Sequence, residues 1–198
     1  MKIQNSFIIS VILIFLCCFT AVGQHSHESK YVGQEKRQIK SLSTSDIDDL
    51  KNGRGRGLAK AAELNGVPGP IHLLEMKDEI SLSSEQKRKI EIIFQTMKTQ
   101  AIPLGFKIIE LEKKLNGHFA DKTITETVLR SLLDEIAEVR SNLRYVHLSS
   151  HLKTPEILSP QQIRLYNKIR GYSADDPCLN IPKGHDPQMW KKHNNCPE

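Results

Sequence analysis

The chain has 198 residues, of which 26% are charged and 6% aromatic, and its formal net charge is +5. This length suits one domain with tails rather than two independent cores. The hydrophobic fraction of 38% lies below the usual value for globular proteins, which disfavours a large and deeply buried enzyme core. Because the sequence has a single long apolar run, a polytopic membrane protein is excluded.

The apolar run at the start of the chain is typical of a secretory signal peptide. Lys2 precedes the apolar residues 7–19, and small residues follow at Ala21 and Gly23. The run is shorter than the roughly 20 residues that a membrane-spanning helix requires. We therefore expect a signal peptide over residues 1–23, with cleavage after Gly23 and export of the remaining chain. Cleavage would remove one lysine and lower the net charge from +5 to +4.

Two cysteines would remain after cleavage, and both lie in a tail that spans residues 173–198. In an oxidising compartment, Cys178 and Cys196 are most simply explained by one disulfide that closes a loop in this tail. Metal ligation and free thiols are the alternatives.

The segment after the signal peptide is polar. We expect residues 24–52 to form a mobile lead-in, with a short helix that begins near the capping residue Ser45. Three glycines then alternate with Arg54 and Arg56. A phosphate-binding loop would need a preceding strand, and no strand pattern is visible, so a flexible joint is the better interpretation. Short helices are predicted over residues 58–64 and 71–80.

The clearest periodicity predicts two long helices. The first begins at the capping residues Ser83 and Gln86, bends at Pro103 and ends at Asn116-Gly117. The second covers about residues 125–152. Their apolar residues recur at spacings of three and four, which are Ile90, Phe94, Met97, Ala101, Leu104, Ile108, Leu111 and Leu115 in the first helix and Leu129, Leu132, Ile136, Val139, Leu143 and Val146 in the second.

Two long helices joined by a short loop form an antiparallel helical hairpin. A last helix, over about residues 160–170, has a proline in its first turn and ends at Gly171. The sequence contains no strand pattern. We therefore predict an all-α domain over residues 53–172, in which a long antiparallel helical hairpin is flanked by short helices.

One short motif occurs twice, at the start of a predicted helix each time. Leu82-Ser83-x-x-Gln86 opens the first long helix, and Leu158-Ser159-x-x-Gln162 opens the last helix. In such a cap the leucine packs against the first turn, the serine accepts from backbone N–H groups, and the glutamine points back. The pair of motifs resembles the Leu-Thr-x-x-Gln signature of the Spy/CpxP family of periplasmic proteins and its heavy-metal-sensor relatives.

The resemblance extends to residues 57–72 and 147–172, so that it covers roughly residues 53–172. It implies a hairpin-based helical fold, a periplasmic location and a homodimer. Some members of this family bind unfolded clients and suppress their aggregation. Others bind transition metals and report them to a signalling membrane protein. The resemblance implies that this chain performs one of these two functions.

His147 and His151 are the residues that best fit a metal site. They are four residues apart on one predicted helix, so both imidazoles project from the same face. A third ligand would come from elsewhere, and His72, His118 and Glu75 are candidates. Alternatively, the two histidines are polar residues at the edge of a helix interface, one of them hydrogen-bonded to a neighbour.

The tail offers a second set of metal ligands. His185, Met189 and His193 are each four residues apart, so a short helix would align some of them. Imidazole together with a thioether favours copper, with nickel and zinc less favoured by the methionine. The alternative is a disulfide-closed tail with solvated histidines.

A chaperone would need an exposed surface that is both apolar and charged. The sequence has more apolar residues than one helical seam requires, and the surplus is available for clients or for a dimer interface: Met76, Ile92, Ile93, Met97 and Ile102. No nucleophile motif and no acid–base pair stands out, so we do not expect an enzyme. Basic residues alternate with acids, so we expect no nucleic-acid partner.

Our leading prediction is a periplasmic homodimer that takes part in a metal-linked envelope stress response. It would bind a copper, nickel or zinc ion, use no organic cofactor and act with a signalling membrane protein. The alternative prediction is an ATP-independent holding chaperone that binds unfolded protein clients.

Overall fold

The computed structural model describes residues 29–172, 181–194 and 196. The chain divides into two compact units, residues 1–36 and residues 37–198. The described part of the first unit contains one 3-10 turn, Gln34–Lys36. Seven α-helices lie in the described part of the second unit, and no strand occurs in any described residue, which confirms the all-α prediction. The predicted signal peptide over residues 1–23 lies outside the described residues.

The helices follow the predicted order with some changes of length. They are α1 Thr44–Lys51, α2 Lys60–Glu63, α3 Pro70–Glu75, α4 Ser84–Ala120, α5 Glu126–Lys153, α6 Pro160–Ile169 and α7 Pro187–His193. Both α2 and α3 are shorter than the predicted helices over residues 58–64 and 71–80. After α3 the chain forms turns, in which Ser81 adopts a left-handed conformation with φ of 49°. None of the described helices is long and apolar enough to cross a membrane.

The two long helices α4 and α5 pair as the predicted hairpin. Their seams are buried or half-buried along their whole length. Helix α4 continues through Pro103. The predicted end at Asn116-Gly117 is wrong, because the helix continues to Ala120 and is capped by Asp121, whose N–H bonds to the carbonyl of Gly117. A glycine near a helix end can therefore remain helical when the following residues complete the last turn.

Three hydrophobic clusters hold the second unit together. The largest joins the segment around α1 to the middle of the hairpin through Leu50, Ala101, Ile108 and Leu143. A second cluster packs α3 and α6 against the start of α4, with Tyr166 fully buried. The third closes the hairpin near its loop. Each of the three clusters therefore joins side chains from more than one helix, as a helical fold of this size requires.

The segment predicted to be a mobile lead-in is docked from residue 37 onward. Ile39, Leu42 and Leu50 are all less than 8% exposed. A Cβ at Gly105 of α4 would lie 2.1 Å from the carbonyl oxygen of Leu50, so only glycine permits this close approach of α1. The average polarity of the segment conceals that the apolar side chains of its second half face the core, whereas Tyr31 and Val32 are exposed. Ser43 caps α1 together with Asp46, close to the predicted start.

The two repeated motifs cap their helices as predicted, and they also bind each other. Ser83 and Gln86 form a capping box at α4, and Ser159 and Gln162 form one at α6. The amide nitrogen of Gln86 donates to Gln162 Oε1 at 2.9 Å, and that of Gln162 donates to Gln86 Oε1 at 3.0 Å. Leu82 and Leu158 are buried in the same hydrophobic cluster. The repeat therefore joins two helix starts that lie 76 residues apart.

Candidate metal centre

His147 and His151 lie one turn apart on α5 and line one cavity, as the sequence predicts for a pair on one helix face. Both residues are buried, with 5% and 7% of their surface exposed. The cavity has a volume of about 550 Å³ and lies beside the start of α3, the middle of α4 and the loop that contains Gly53, Gly55 and Gly57. Two buried imidazoles therefore line one cavity of the helical fold.

The orientation of His151 is fixed by the segment before α3. Its Nδ1 lies 3.0 Å from the carbonyl oxygen of Val67. Because a carbonyl oxygen only accepts, Nδ1 donates this hydrogen bond, and in the neutral ring the lone pair then lies on Nε2. A Cβ on Gly69 would lie 2.8 Å from that Nε2, so glycine is required where the backbone passes the ring. This arrangement of one fixed nitrogen and one free nitrogen is common among histidines that bind metals.

His147 has a buried nitrogen without a partner. Its Nε2 makes no hydrogen bond with any residue that the structure describes. Burial, and then the neighbouring His151, lowers the pKa of His147 to about 4, so the ring is neutral at pH 7. A neutral imidazole is the form that binds a metal ion. A buried polar atom that remains unpaired destabilises a fold by about 1–3 kcal/mol, and a ligand at Nε2 would remove that penalty.

Two of the three residues considered as a third ligand line the same cavity. His72 and Glu75 lie on α3, and the His72 Nδ1 is 2.8 Å from Glu75 Oε2. His118 does not line this cavity. Its ring instead bonds to the hydroxyl of Thr123 at 2.9 Å. Within the described ranges, no three side chains from among His, Cys, Asp and Glu lie close enough together to hold one ion. The described residues therefore supply a pair of nitrogen donors and leave the third undecided.

An acidic network borders the cavity beside His72. Glu63 lies 3.6 Å from His72 Nε2, accepts from the hydroxyl of Tyr172 at 2.9 Å and pairs with Arg170. Burial by itself would raise the pKa of Glu63, but the hydrogen bonds from Tyr172 and Arg170 outweigh it and lower the pKa. Glu63 is therefore ionised at neutral pH and favours a positive charge in this part of the cavity.

The glycine–arginine loop lines the cavity, a position that the sequence pattern did not predict. Arg54 pairs with Asp48 and Asp49, and Arg56 pairs with Asp46 and Asp49. The loop is therefore held against α1 rather than forming the flexible joint expected from its glycines. Three closely spaced aspartates, at positions 46, 48 and 49, precede the two arginines in the sequence. This pattern of acids followed by bases could have predicted the docking.

The second set of predicted ligands lies in the tail. His185 packs edge-on against Trp190 with the ring centroids 4.8 Å apart, while Met189 is exposed on α7. His193 ends the same helix. Cys196 is disulfide-bonded, and Cys178, its predicted partner, lies outside the described residues. The disulfide removes Cys196 as a thiolate ligand and leaves His185, Met189 and His193 as the predicted ligands of the tail.

Comparison with known proteins finds no matching family model, no matching curated protein and no matching solved structure.

Proposed function

We propose that this protein binds a transition-metal ion through His147 and His151 and takes part in a metal-linked envelope stress response. One observation carries the metal proposal: the buried His147 Nε2 lacks a hydrogen-bond partner among the described residues and lines the same cavity as His151. The stress-response part rests on the resemblance of the two Leu-Ser-x-x-Gln motifs to the Spy/CpxP family. That resemblance also underlies our proposals of a periplasmic location, a homodimer and a signalling membrane partner.

The donor chemistry narrows the choice of ion. Neutral imidazole nitrogens suit copper, nickel and zinc, whereas calcium and magnesium prefer oxygen. At a site of given donors the affinity for divalent ions rises from nickel to copper and is lower again for zinc. We therefore expect Cu²⁺ to bind most tightly of the three. A bound ion would accept the His147 lone pair that is otherwise buried without a partner.

The role of His72 is open to a graded test. This residue lines the same cavity, and its Nδ1 is bonded to Glu75, so Nε2 is the nitrogen that could reach an ion; that nitrogen lies 3.6 Å from Glu63 and would have to exchange this contact for the ion. Replacing His72 by alanine should weaken metal binding less than replacing either His147 or His151. Equal losses at all three positions would instead make His72 a full ligand.

The test is a calorimetric titration of the purified protein with Cu²⁺, Ni²⁺ and Zn²⁺. The two cavity variants are His147→Phe, which keeps a ring in the buried position, and His151→Ala. The control is His118→Ala, which removes a histidine of the same two long helices that lies outside the cavity. We expect both cavity variants to lose binding and His118→Ala to bind like the wild type. The proposal would be refuted if both cavity variants still bind the ion. It would also be refuted if none of the three ions binds to the wild type.

The tail provides the alternative position for a metal. Binding that is kept in the cavity variants but lost in a His185→Ala/His193→Ala variant would assign the ion to the tail. Far-ultraviolet circular dichroism of every variant shows whether its helices remain folded. The assignment is then independent of a folding defect.

A holding chaperone is the second proposed function, and several exposed side chains favour it. The larger ones on the two long helices are Ile92, Phe106, Phe119, Leu133, Tyr145 and Leu152. Met97, by contrast, belongs to the core and is not available to clients. If the chaperone function is correct, the His147→Phe variant keeps full anti-aggregation activity, and Ile92→Glu together with Phe106→Glu reduces it. If neither the wild type nor the variants suppress aggregation, the chaperone function is wrong.

A further inference from the structure

A second cavity, separate from the histidine pair, lies on the other side of the glycine–arginine loop. It has a volume of about 530 Å³, within the range of small-molecule sites. Helix α5 contributes a stripe along one face at the spacing of successive turns, formed by Ala137, Arg140, Ser141 and Arg144. None of these four residues lines the histidine cavity, so a ligand here would be distinct from the proposed metal ion.

The interior of this cavity is apolar. Leu42, Leu50, Ile108 and Leu143 belong to the largest hydrophobic cluster and form its floor, and Leu58 packs against them. The small residues Ala137 and Ser141 leave room above that floor. An apolar body of a ligand would therefore be desolvated against side chains that are already fixed by the core.

The polar lining is entirely cationic apart from one hydroxyl. Arg54, Arg56, Arg140 and Arg144 line the cavity together with Ser141, and among the described residues no carboxylate does. Three of these arginines are held by acids that lie outside the lining, including Glu112, which Arg140 contacts at 2.6 Å. Arg144, one turn beyond Arg140, forms no ion pair with any residue that the structure describes.

We propose that this cavity binds an amphipathic monoanion, an apolar chain that carries a single carboxylate. The carboxylate would pair with the guanidinium of Arg144, whose planar fork can donate two parallel hydrogen bonds to its two oxygens. The chain would lie on the leucine floor. The other three arginines are already neutralised by their acid partners, so only Arg144 requires a negative charge. A single carboxylate therefore fits the cavity better than a more highly charged head group.

The experiment is calorimetry of the full chain with dodecanoate and, as a probe of the same length and opposite charge, dodecyltrimethylammonium, both below their micelle-forming concentrations. We expect dodecanoate to bind with one-to-one stoichiometry. The Arg144→Gln variant should bind it about tenfold more weakly, because a hydrogen-bonded charge partner is lost. The cationic probe should bind at least about tenfold more weakly than dodecanoate.

Matched variants separate this cavity from the general surface. Ser141→Leu should fill the cavity and abolish dodecanoate binding, whereas Ser131→Leu places the same side chain on the same helix but outside this cavity and should leave binding unchanged. Arg130→Gln is the corresponding control for the charge, since Arg130 does not line the cavity. Absence of dodecanoate binding, equal binding of both probes, or equal effects of the cavity and control variants would overturn the proposal. The His147→Phe variant should bind dodecanoate normally, so the two proposals fail independently.

Discussion

The close approach of α1 to α4 makes Gly105 the most sensitive glycine of the long helix. In a helix interior, glycine is less favourable than alanine by about 1 kcal/mol, so its presence there needs a packing reason. A Cβ at Gly105 would meet three backbone atoms of Leu50, at 2.1, 2.8 and 3.2 Å. Ordinary van der Waals contact begins at 3.4 Å, so the carbonyl would have to retreat by roughly 1.3 Å.

That retreat would loosen the packing of Leu50 against Ala101 and Ile108, which belong to the same cluster. Overpacking of this kind destabilises by about 1–3 kcal/mol, and here the backbone itself must move, so we take the upper half of that range. After subtraction of the helix-propensity gain, Gly105→Ala should lower the free energy of unfolding by about 1–2 kcal/mol. For a chain of this size the melting temperature would fall by about 2–8 °C.

Gly117 provides the matched control on the same helix. A Cβ there would meet nothing within 4 Å, so Gly117→Ala gains helix propensity without a clash. It should stabilise the protein by about 0.5–1 kcal/mol. Urea unfolding followed by circular dichroism measures both variants. If Gly105→Ala proves as stable as Gly117→Ala, the tight crossing of α1 over α4 is refuted.

Three further predictions concern polar groups that are buried or half-buried. Gln86→Ala and Gln162→Ala should each destabilise the fold. Because the two amides bind each other, the double variant should be destabilised by about 0.5–1.5 kcal/mol less than the sum of the two single variants. Strict additivity in a double-mutant cycle would contradict the pairing. The pKa of His147 is about 4 in the fold and about 6.5 in an unfolded chain, so the unfolded state takes up its proton first as the pH falls. The free energy of unfolding should therefore decrease from pH 6.5 to pH 4, by at most about 1.4 kcal/mol per pH unit. Thermal melts of the His147→Phe variant should show a shallower decrease. Thr154→Val removes a buried hydroxyl that donates to the Pro68 carbonyl at 2.6 Å, and chemical unfolding should reveal a loss of about 1–3 kcal/mol; an unchanged midpoint would mean that the bond does not stabilise the fold.

Local signals determined the parts of the structure that were predicted well. The capping boxes at Ser83 and Ser159 operate within four residues, so the sequence alone specifies them. The hairpin follows from apolar residues at spacings of three and four. The same local rule placed His147 and His151 on one helix face, because a spacing of four residues is close to one turn.

Local signals misled at two places, for different reasons. Asn116-Gly117 is typical of a helix end, yet α4 continues to Ala120. The cost of glycine inside a helix is about 1 kcal/mol, and the hydrogen bonds of the completed last turn offset it. The polar average of residues 24–52 suggested mobility, yet Ile39 and Leu42 belong to the core, because burial of a few apolar side chains is enough to dock a segment.

The sequence by itself determined the helical class, the two capped starts and the pairing of two histidines on one face. Only the tertiary structure decided that Gln86 and Gln162 bind each other, that His72 lines the cavity of His147, and that the His147 Nε2 is buried without a partner among the described residues. The physical reason is the range of the interactions. Caps and helix faces depend on neighbours within one turn, whereas burial and orphaned polar atoms depend on which distant segments the hydrophobic clusters bring together.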